Sequence, residues 1–145
     1  MDNLYQSSSY KNIVKQNAYN ILNFLIQEDV DFLIITYTNV IDFNPPIPKD
    51  IIEFDKTALF TISGYTKESA KVDKNSFIIE AGFGKEGFGS TLTIPLEAII
   101  QIVFNEETLH INYHKPKKIV IKNSMEALLN NPENQKLLKK KITKK

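Results

Sequence analysis

Cysteine and arginine are both absent from the 145-residue chain. Without cysteine, no disulfide framework, zinc–thiolate cluster or thiol nucleophile can form. All 18 basic residues are lysine, and lysine lacks the planar guanidinium that binds phosphate, carboxylate or guanine through two parallel hydrogen bonds. The composition therefore excludes thiol chemistry and argues against base-specific nucleic-acid recognition.

Long apolar runs are also missing. None approaches the roughly 20 residues that a transmembrane helix requires. The first ten residues, MDNLYQSSSY, lack the basic start and apolar core of a secretory signal. We therefore expect a cytoplasmic protein that does not cross a membrane.

The charges are unevenly distributed along the chain, although 145 residues fit a single domain. Residues 1–114 carry eight lysines and fifteen carboxylates, whereas residues 115–145 carry ten lysines and only two glutamates. The acidic body and the basic C-terminal segment are expected to attract each other or to attract different partners.

An amphipathic helix is predicted over residues 9–28, with Ser9 as its cap and residues 1–8 flexible. Its apolar stripe consists of Ile13, Val14, Ala18, Ile21, Leu22, Leu25 and Ile26. Two interpretations stay open, and both can hold. The stripe packs on the sheet of its own chain, or part of it, through Ala18, Leu22 and Leu25, forms the seam of a homodimer.

Short β-branched and aromatic runs predict strands over residues 31–39, 59–63, 77–82, 90–94, 100–104 and 109–113, and a β-like run over 118–122. Residues 65–75 are predicted as a loop. Strands this short with regular turns are typical of a small, strongly bent antiparallel sheet or a partly open barrel. The predicted class is thus α+β, mainly β, with one domain over residues 9–122, its barrel over 31–122, and a basic helical segment over 123–145.

The glycine-rich loop FGKEGFG, residues 83–89, invites a phosphate-binding interpretation. It lacks the Gly-Lys-Ser/Thr ending, and a strand rather than a helix follows, so we predict a hairpin turn. His110 and His114, four residues apart on a strand, would be separated by about 13 Å, too far to share a metal, and solvated positions are expected. No set of residues points to catalysis, so we expect a binding protein without metal or cofactor.

The lysine-rich C-terminus leaves several possibilities open. It can bind nucleic acid or an acidic membrane through its charge, or remain a solvated tail. Alternatively, Leu137, Leu138 and Ile142 can dock on another protein.

The order of these features resembles the stringent starvation protein B (SspB) family, adaptors of the ClpXP protease. The resemblance covers about residues 10–114. It is carried by DFLIITYTN after the helix, ALFTIS at 58–63, AGFG at 81–84 and LTIPLEAIIQI at 92–102.

This resemblance implies an Sm-like barrel, a homodimer, and delivery of ssrA-tagged polypeptides to the ClpX ATPase. It implies an apolar groove for an extended tag peptide, with Ala81 and Phe83 as its leading residues. Further candidates are Gly82, Phe60, Ile62 and Ile79. Leu137, Leu138 and Ile142 would then serve as the protease-docking segment.

The chain departs from the family pattern at three places. Gly82 stands where the family usually has arginine, the turn over residues 85–88 is longer, and the acidic tail is replaced by a basic one. Two alternatives therefore remain beside the adaptor. One is an Sm-like nucleic-acid-binding protein, and the other is an SspB-like interaction subunit with an altered ligand.

Overall fold

A computed structural model describes residues 3–117, which form one long helix, one short helix and two antiparallel sheets. The helices are α1 (Ser8–Glu28) and α2 (Gly64–Ser69), and 3₁₀ turns cover Leu4–Gln6 and Leu96–Ala98. The strands are β1 (Phe32–Tyr37), β2 (Asp42–Asn44), β3 (Thr57–Ile62), β4 (Lys71–Val72), β5 (Ser76–Phe83), β6 (Phe88–Pro95), β7 (Ile99–Phe104) and β8 (Glu107–Ile111). The α+β prediction is confirmed. No helix within residues 3–117 is long and apolar enough to cross a membrane.

Helix α1 begins two residues earlier than its predicted cap allowed. Ser7, rather than Ser9, is the cap, and its hydroxyl accepts a hydrogen bond from the backbone N–H of Tyr10 at 3.1 Å. The helix ends at Glu28, and its C-terminal cap Asp29 has a left-handed conformation (φ 56°) that closes the last turn.

The predicted dimer seam on α1 needs correction. Ala18, Leu22 and Leu25 are almost completely shielded from solvent, at 0%, 0% and 1% exposure, inside the core of the single chain. Side chains that already pack within their own chain have no surface left for a second copy. The side of α1 that faces solvent instead carries Ile13 and Phe24.

Each sheet has four strands. The first sheet has the order β3-β1-β7-β8 and the second β2-β6-β5-β4, with every pair antiparallel. Their inner faces share one core, in which the rings of Phe32 and Phe77 lie 6.3 Å apart. Within residues 3–117 neither sheet closes on itself, so the predicted Sm-like barrel is not confirmed.

Different parts of the chain lie at the two sides of the core where the edges of the sheets meet. Helix α1 contacts β4, β7 and β8, at one side of the core. The opposite side carries the edge strands β2 and β3, and the link between them, residues 45–56, spans from one sheet to the other. We call residues 45–56 the strap.

Residues 3–8, predicted to be flexible, make specific contacts. The ring of Tyr5 lies 5.2 Å from that of Tyr10 and 5.3 Å from that of Tyr113. Gln6 donates to the carbonyl of Lys115 at 2.9 Å and accepts from its N–H at 2.8 Å. These contacts join the chain's first described turn to its last.

Residues 65–75, predicted as a loop, contain α2 and β4 instead. Lys67 of α2 bridges Asp29 and Asp31, at 3.4 Å and 2.9 Å, and so fixes α2 to the junction between α1 and β1. The predictions for 118–122 and 123–145, including Leu137, Leu138 and Ile142, lie outside the described residues.

The glycine-rich loop forms the hairpin turn between β5 and β6, as predicted. Gly84 and Gly87 have φ of 74° and 65°, a region that residues with a side chain rarely adopt. A Cβ at Gly84 would also lie 2.8 Å from the Cγ2 of Ile51 in the strap. The hairpin and the strap are therefore in close contact.

Candidate functional site

Four phenylalanines meet beneath the strap and define what we call the aromatic cluster: Phe43, Phe54, Phe60 and Phe83. Phe54 lies at its centre, with ring centroids 5.4 Å from Phe43, 5.8 Å from Phe60 and 5.8 Å from Phe83. Phe43 and Phe60 come from the edge strands β2 and β3, and Phe83 from the end of β5. Phe54 itself belongs to the strap, so the chain fills this space with one of its own side chains.

The strap is fixed mainly at its two ends. At the start, the hydroxyl of Ser90 donates to the carbonyl of Pro45 at 2.9 Å. At the end, the backbone N–H of Thr38 donates to the carbonyl of Lys56 at 2.9 Å, and the Thr38 hydroxyl donates to that of Asp55. Between these points the backbone bonds found are internal, from Ile51 and Ile52 to Pro48. Side-chain packing therefore holds the rest of the strap in place, by Ile51 against the hairpin and by Phe54 in the aromatic cluster.

Open space flanks the strap on both sides. A cavity of about 540 Å³ lies between the strap and the hairpin, lined by Asp50, Ile51, Phe83, Gly84, Lys85, Glu86 and Phe88. A smaller cavity of about 250 Å³ lies on the other side, lined by Phe43, Pro46, Ile47, Lys49, Ile52, Glu53 and Phe54. The aromatic cluster is thus accessible from two directions, and its surroundings combine apolar rings with both signs of charge.

Ala81 and Phe83, the leading groove candidates, lie on the same side of β5, because side chains two residues apart on a strand share a face. Both are partly buried and pack against the core. Ala81 is paired with Ser90 across the hairpin, which is the residue that holds the start of the strap. The structure thus brings Phe83 and Phe60 together beside the strap, whereas Ala81 lines a separate cavity.

Gly82 lies on the opposite face of the second sheet, paired with Gly89. There it lines a shallow cavity of about 370 Å³ together with Tyr65 and Glu80. The Tyr65 hydroxyl donates to the Glu80 carboxylate at 2.7 Å. That hydrogen bond, together with the negative charge of Glu80, raises the pKa of Tyr65.

Ile62 and Ile79 are corrected as groove candidates. Both are fully buried in the core between the sheets, so a peptide cannot reach them. Phe60 is 8% exposed, and its ring packs against those of Phe54 and Phe83 in the aromatic cluster. The apolar character of Ile62 and Ile79 therefore reflects core packing rather than ligand binding.

The two histidines are buried, which corrects the expectation of solvated positions. His114 Nδ1 lies 2.9 Å from the carbonyl of Tyr5, and His110 Nδ1 lies 3.0 Å from the amide nitrogen of Asn17. The other ring nitrogen of His110, Nε2, is buried and has no hydrogen-bond partner among the described residues. Burial lowers the pKa of His110 to about 4, because the charged imidazolium would lose its hydration.

A polar cavity of about 430 Å³ lies near the end of the described chain, lined by Gln6, Ser8, Lys11, Glu97, His114, Pro116 and Lys117. Glu97 is buried there, and its carboxylate lies 3.7 Å from the ammonium of Lys11. In the described range, residues 3–117, no group of three His, Cys, Asp or Glu side chains is placed to hold a metal ion.

Phe43 and Phe54 were not among the residues predicted for the site. Three apolar residues, Ile51, Ile52 and Phe54, follow a stretch with three prolines among four residues. That apolar group was a usable signal for a segment that packs on the sheets.

No family model matches the chain, and no curated protein matches it either.

Proposed function

We propose that this protein is a non-enzymatic, cytoplasmic adaptor that binds an extended apolar peptide, of the ssrA-tag type, and delivers the tagged polypeptide to the ClpXP protease. The proposal includes the finer fold implied by the SspB resemblance, an Sm-like barrel. One observation supports it above the others. The space between the edge strands β2 and β3 is lined by aromatic rings and is filled by the chain's own Phe54.

An extended peptide is the ligand best suited to such a space. A peptide that lies along a strand edge gains main-chain hydrogen bonds, and pockets for its side chains supply selectivity. Strands β2 and β3 are both at sheet edges, so each has one backbone edge without a partner strand among the described residues. The rings of Phe43, Phe60 and Phe83 then provide the pocket.

The strap determines how the peptide enters. Phe54 occupies the centre of the aromatic cluster, yet within the described part of the chain the middle of the strap makes only internal backbone hydrogen bonds. A ligand with an apolar side chain therefore competes with Phe54 for this space. The free energy of binding is the gain from the ligand's contacts less the contacts that Phe54 loses when it is displaced. We expect a moderate affinity, in the micromolar range.

Titration with a fluorescent ssrA peptide, read by anisotropy, tests the proposal. Saturable binding at tens of micromolar or tighter is expected. The Phe83→Ala variant should bind about 10- to 100-fold more weakly, because burial of a phenylalanine side chain contributes about 1.5–3 kcal/mol.

The matched control is Phe24→Ala, which removes the same side chain from the exposed side of α1 and should leave the affinity unchanged. The adaptor itself should speed the degradation of an ssrA-tagged reporter by ClpXP at low substrate concentration. Absence of saturable peptide binding at tens of micromolar would remove the tag-delivery proposal.

A further inference from the structure

The polar cavity at the N-terminus of α1, lined by Lys11, Glu97, His114 and Lys117 among others, lies on the side of the core opposite the strap. We call it the α1 cavity. Its volume of about 430 Å³ is near the lower end of the range for ligand pockets, which is about 300–1,000 Å³. The cavity therefore has room for a small molecule rather than for a folded partner.

His114 presents a hydrogen-bond acceptor to this cavity. The residue is only 6% exposed, and its Nδ1 lies 2.9 Å from the carbonyl oxygen of Tyr5. Because a carbonyl oxygen can only accept, Nδ1 carries the proton, and Nε2 of the neutral ring is an acceptor. That Nε2 makes no hydrogen bond within residues 3–117, yet it is not sealed from solvent, since the sealed side-chain atom without a partner in that range is Nε2 of His110. It therefore opens into the cavity that His114 lines.

Glu97 supplies a second acceptor at the buried end of the cavity. It is 8% exposed and lies in the 3₁₀ turn that precedes β7. Its carboxylate lies 3.7 Å from the ammonium of Lys11, which is longer than the roughly 2.7–2.9 Å of a charge-assisted hydrogen bond. A buried carboxylate costs free energy unless its oxygens are hydrogen-bonded. Two acceptors side by side therefore suit a ligand group with several N–H donors, such as an ammonium.

The mouth of the α1 cavity has the opposite character. The side chain of Lys11 is 38% exposed, and Lys117 and Ser8 are exposed as well. Ser8 is the first residue of the 21-residue α1, so the positive end of the helix dipole lies at the mouth. The lining carries two lysines and one glutamate, whereas residues 3–117 together carry ten lysines and fourteen carboxylates. The mouth therefore favours anions, although the body of the protein is acidic.

We propose that the α1 cavity binds a free acidic amino acid, L-glutamate or L-aspartate. The α-ammonium donates to Glu97 and His114 at the buried end, and the two carboxylates meet Lys11 and Lys117 at the mouth. The two negative charges and one positive charge of the ligand complement the two positive charges and one negative charge of the lining. The end of a peptide carries either the ammonium or the α-carboxylate but not both, so a free amino acid fits better than a chain terminus.

Isothermal titration calorimetry of the full chain tests this inference, which does not depend on peptide binding at the strap. Low ionic strength is used, because it screens the ion pairs least. At least one of the two amino acids should bind at a single site with a Kd of about 0.1–1 mM, in keeping with a ligand of about ten non-hydrogen atoms.

Two analogues of L-glutamate separate the two ends of the ligand. N-acetyl-L-glutamate keeps both carboxylates but has no ammonium, and L-glutamine keeps the ammonium but has one carboxylate fewer. Each should bind at least about 10-fold more weakly than L-glutamate, because each loses a charge-assisted hydrogen bond.

Two variants locate the site. Glu97→Gln keeps the shape of the side chain but removes its charge, and Lys117→Gln removes a charge at the exposed mouth; each should weaken binding about 10-fold. Lys115→Gln is the matched control, since Lys115 is also exposed but does not line the cavity, and it should bind like the wild type. Circular dichroism of the protein alone checks that each variant is folded, and if Glu97→Gln is not, the pair Lys117→Gln and Lys115→Gln decides.

Several results would overturn the inference. One is the absence of saturable binding of both amino acids up to about 10 mM. Another is N-acetyl-L-glutamate bound as tightly as L-glutamate, which would indicate a site for anions alone. A third is equal binding by Lys117→Gln and Lys115→Gln, which would mean that the charge at the mouth of the α1 cavity does not hold the ligand.

Discussion

Mild acid should destabilise this protein through one side chain, His110. The imidazole is buried, with Nδ1 3.0 Å from the amide nitrogen of Asn17 and with no hydrogen-bond partner for Nε2 among residues 3–117. Burial holds its pKa at about 4, against 6.5 for a histidine in an unfolded chain. Between these two values the unfolded state binds a proton that the folded state does not.

The sign and size of the effect follow from this difference. Stability is fully present above pH 6.5 and decreases as the pH falls toward 4, because protonation favours the unfolded chain. The total effect is about 3 kcal/mol, of which about 2 kcal/mol is lost between pH 7 and pH 5. Such a loss is large beside the roughly 5–15 kcal/mol that stabilises a typical domain.

Urea unfolding at pH 7, 6, 5 and 4.5 measures this loss of stability. Far-UV circular dichroism is the signal, because the chain has no tryptophan whose fluorescence could report unfolding. His110→Gln is the comparison, because its amide oxygen can still accept from Asn17 while the side chain does not titrate. The wild type should lose about 2 kcal/mol more than His110→Gln between pH 7 and pH 5. If the two stability curves run parallel over this range, the reasoning about His110 is refuted.

Three further predictions concern the strap and the second sheet. Phe54→Ala should tighten peptide binding by up to about 10-fold, because the ligand no longer displaces a side chain; weaker binding would show that Phe54 is a wall of the groove. Glu80→Gln should lower the pKa of Tyr65, read from tyrosinate absorbance in alkaline titration, because it weakens the hydrogen bond to the phenol and removes the neighbouring negative charge. An unchanged pKa would contradict this assignment. Gly84→Ala should lower the free energy of unfolding by about 1 kcal/mol more than Gly87→Ala does. Both substitutions strain the backbone, but only the first places a methyl group against the strap. Equal losses in urea unfolding would contradict that contact.

The sequence predicted the large elements well. The stripe on α1 and the β-branched runs of β1, β5, β6 and β7 are long enough for their periodicity to be clear. The glycine-rich turn was predicted as a hairpin because a strand, not a helix, follows it. In each case a local pattern and the tertiary structure favour the same conformation.

The short elements could not be predicted. Helix α2 has the sequence GYTKES, without an apolar stripe, and its contacts with Asp29 and Asp31 come from residues distant in the chain. Strands β2 and β4 have three and two residues, too few to show alternation. Tertiary contacts, rather than local preference, stabilise these elements.

The candidate site was predicted in part, for a geometric reason. Alternation shows which residues of a strand share a face, but not whether that face meets the core or a groove. Ile79 and Phe83 are on the same face of β5, yet Ile79 is in the core and Phe83 lies at the strap. Ile79 is in the middle of β5, whereas Phe83 is its last residue and lies beyond the core. Which part of a strand reaches beyond the core depends on how the two sheets are arranged.

Strand β3 has a consequence of its own, because its two faces belong to different surfaces. Leu59 faces outward and is 56% exposed, while its neighbour Phe60 faces inward in the aromatic cluster. The same six-residue backbone therefore belongs both to the proposed peptide groove and to the outer surface of the first sheet. If a ligand on one of these surfaces changes the affinity of the other surface for a second ligand, the second ligand must change the affinity for the first by the same factor.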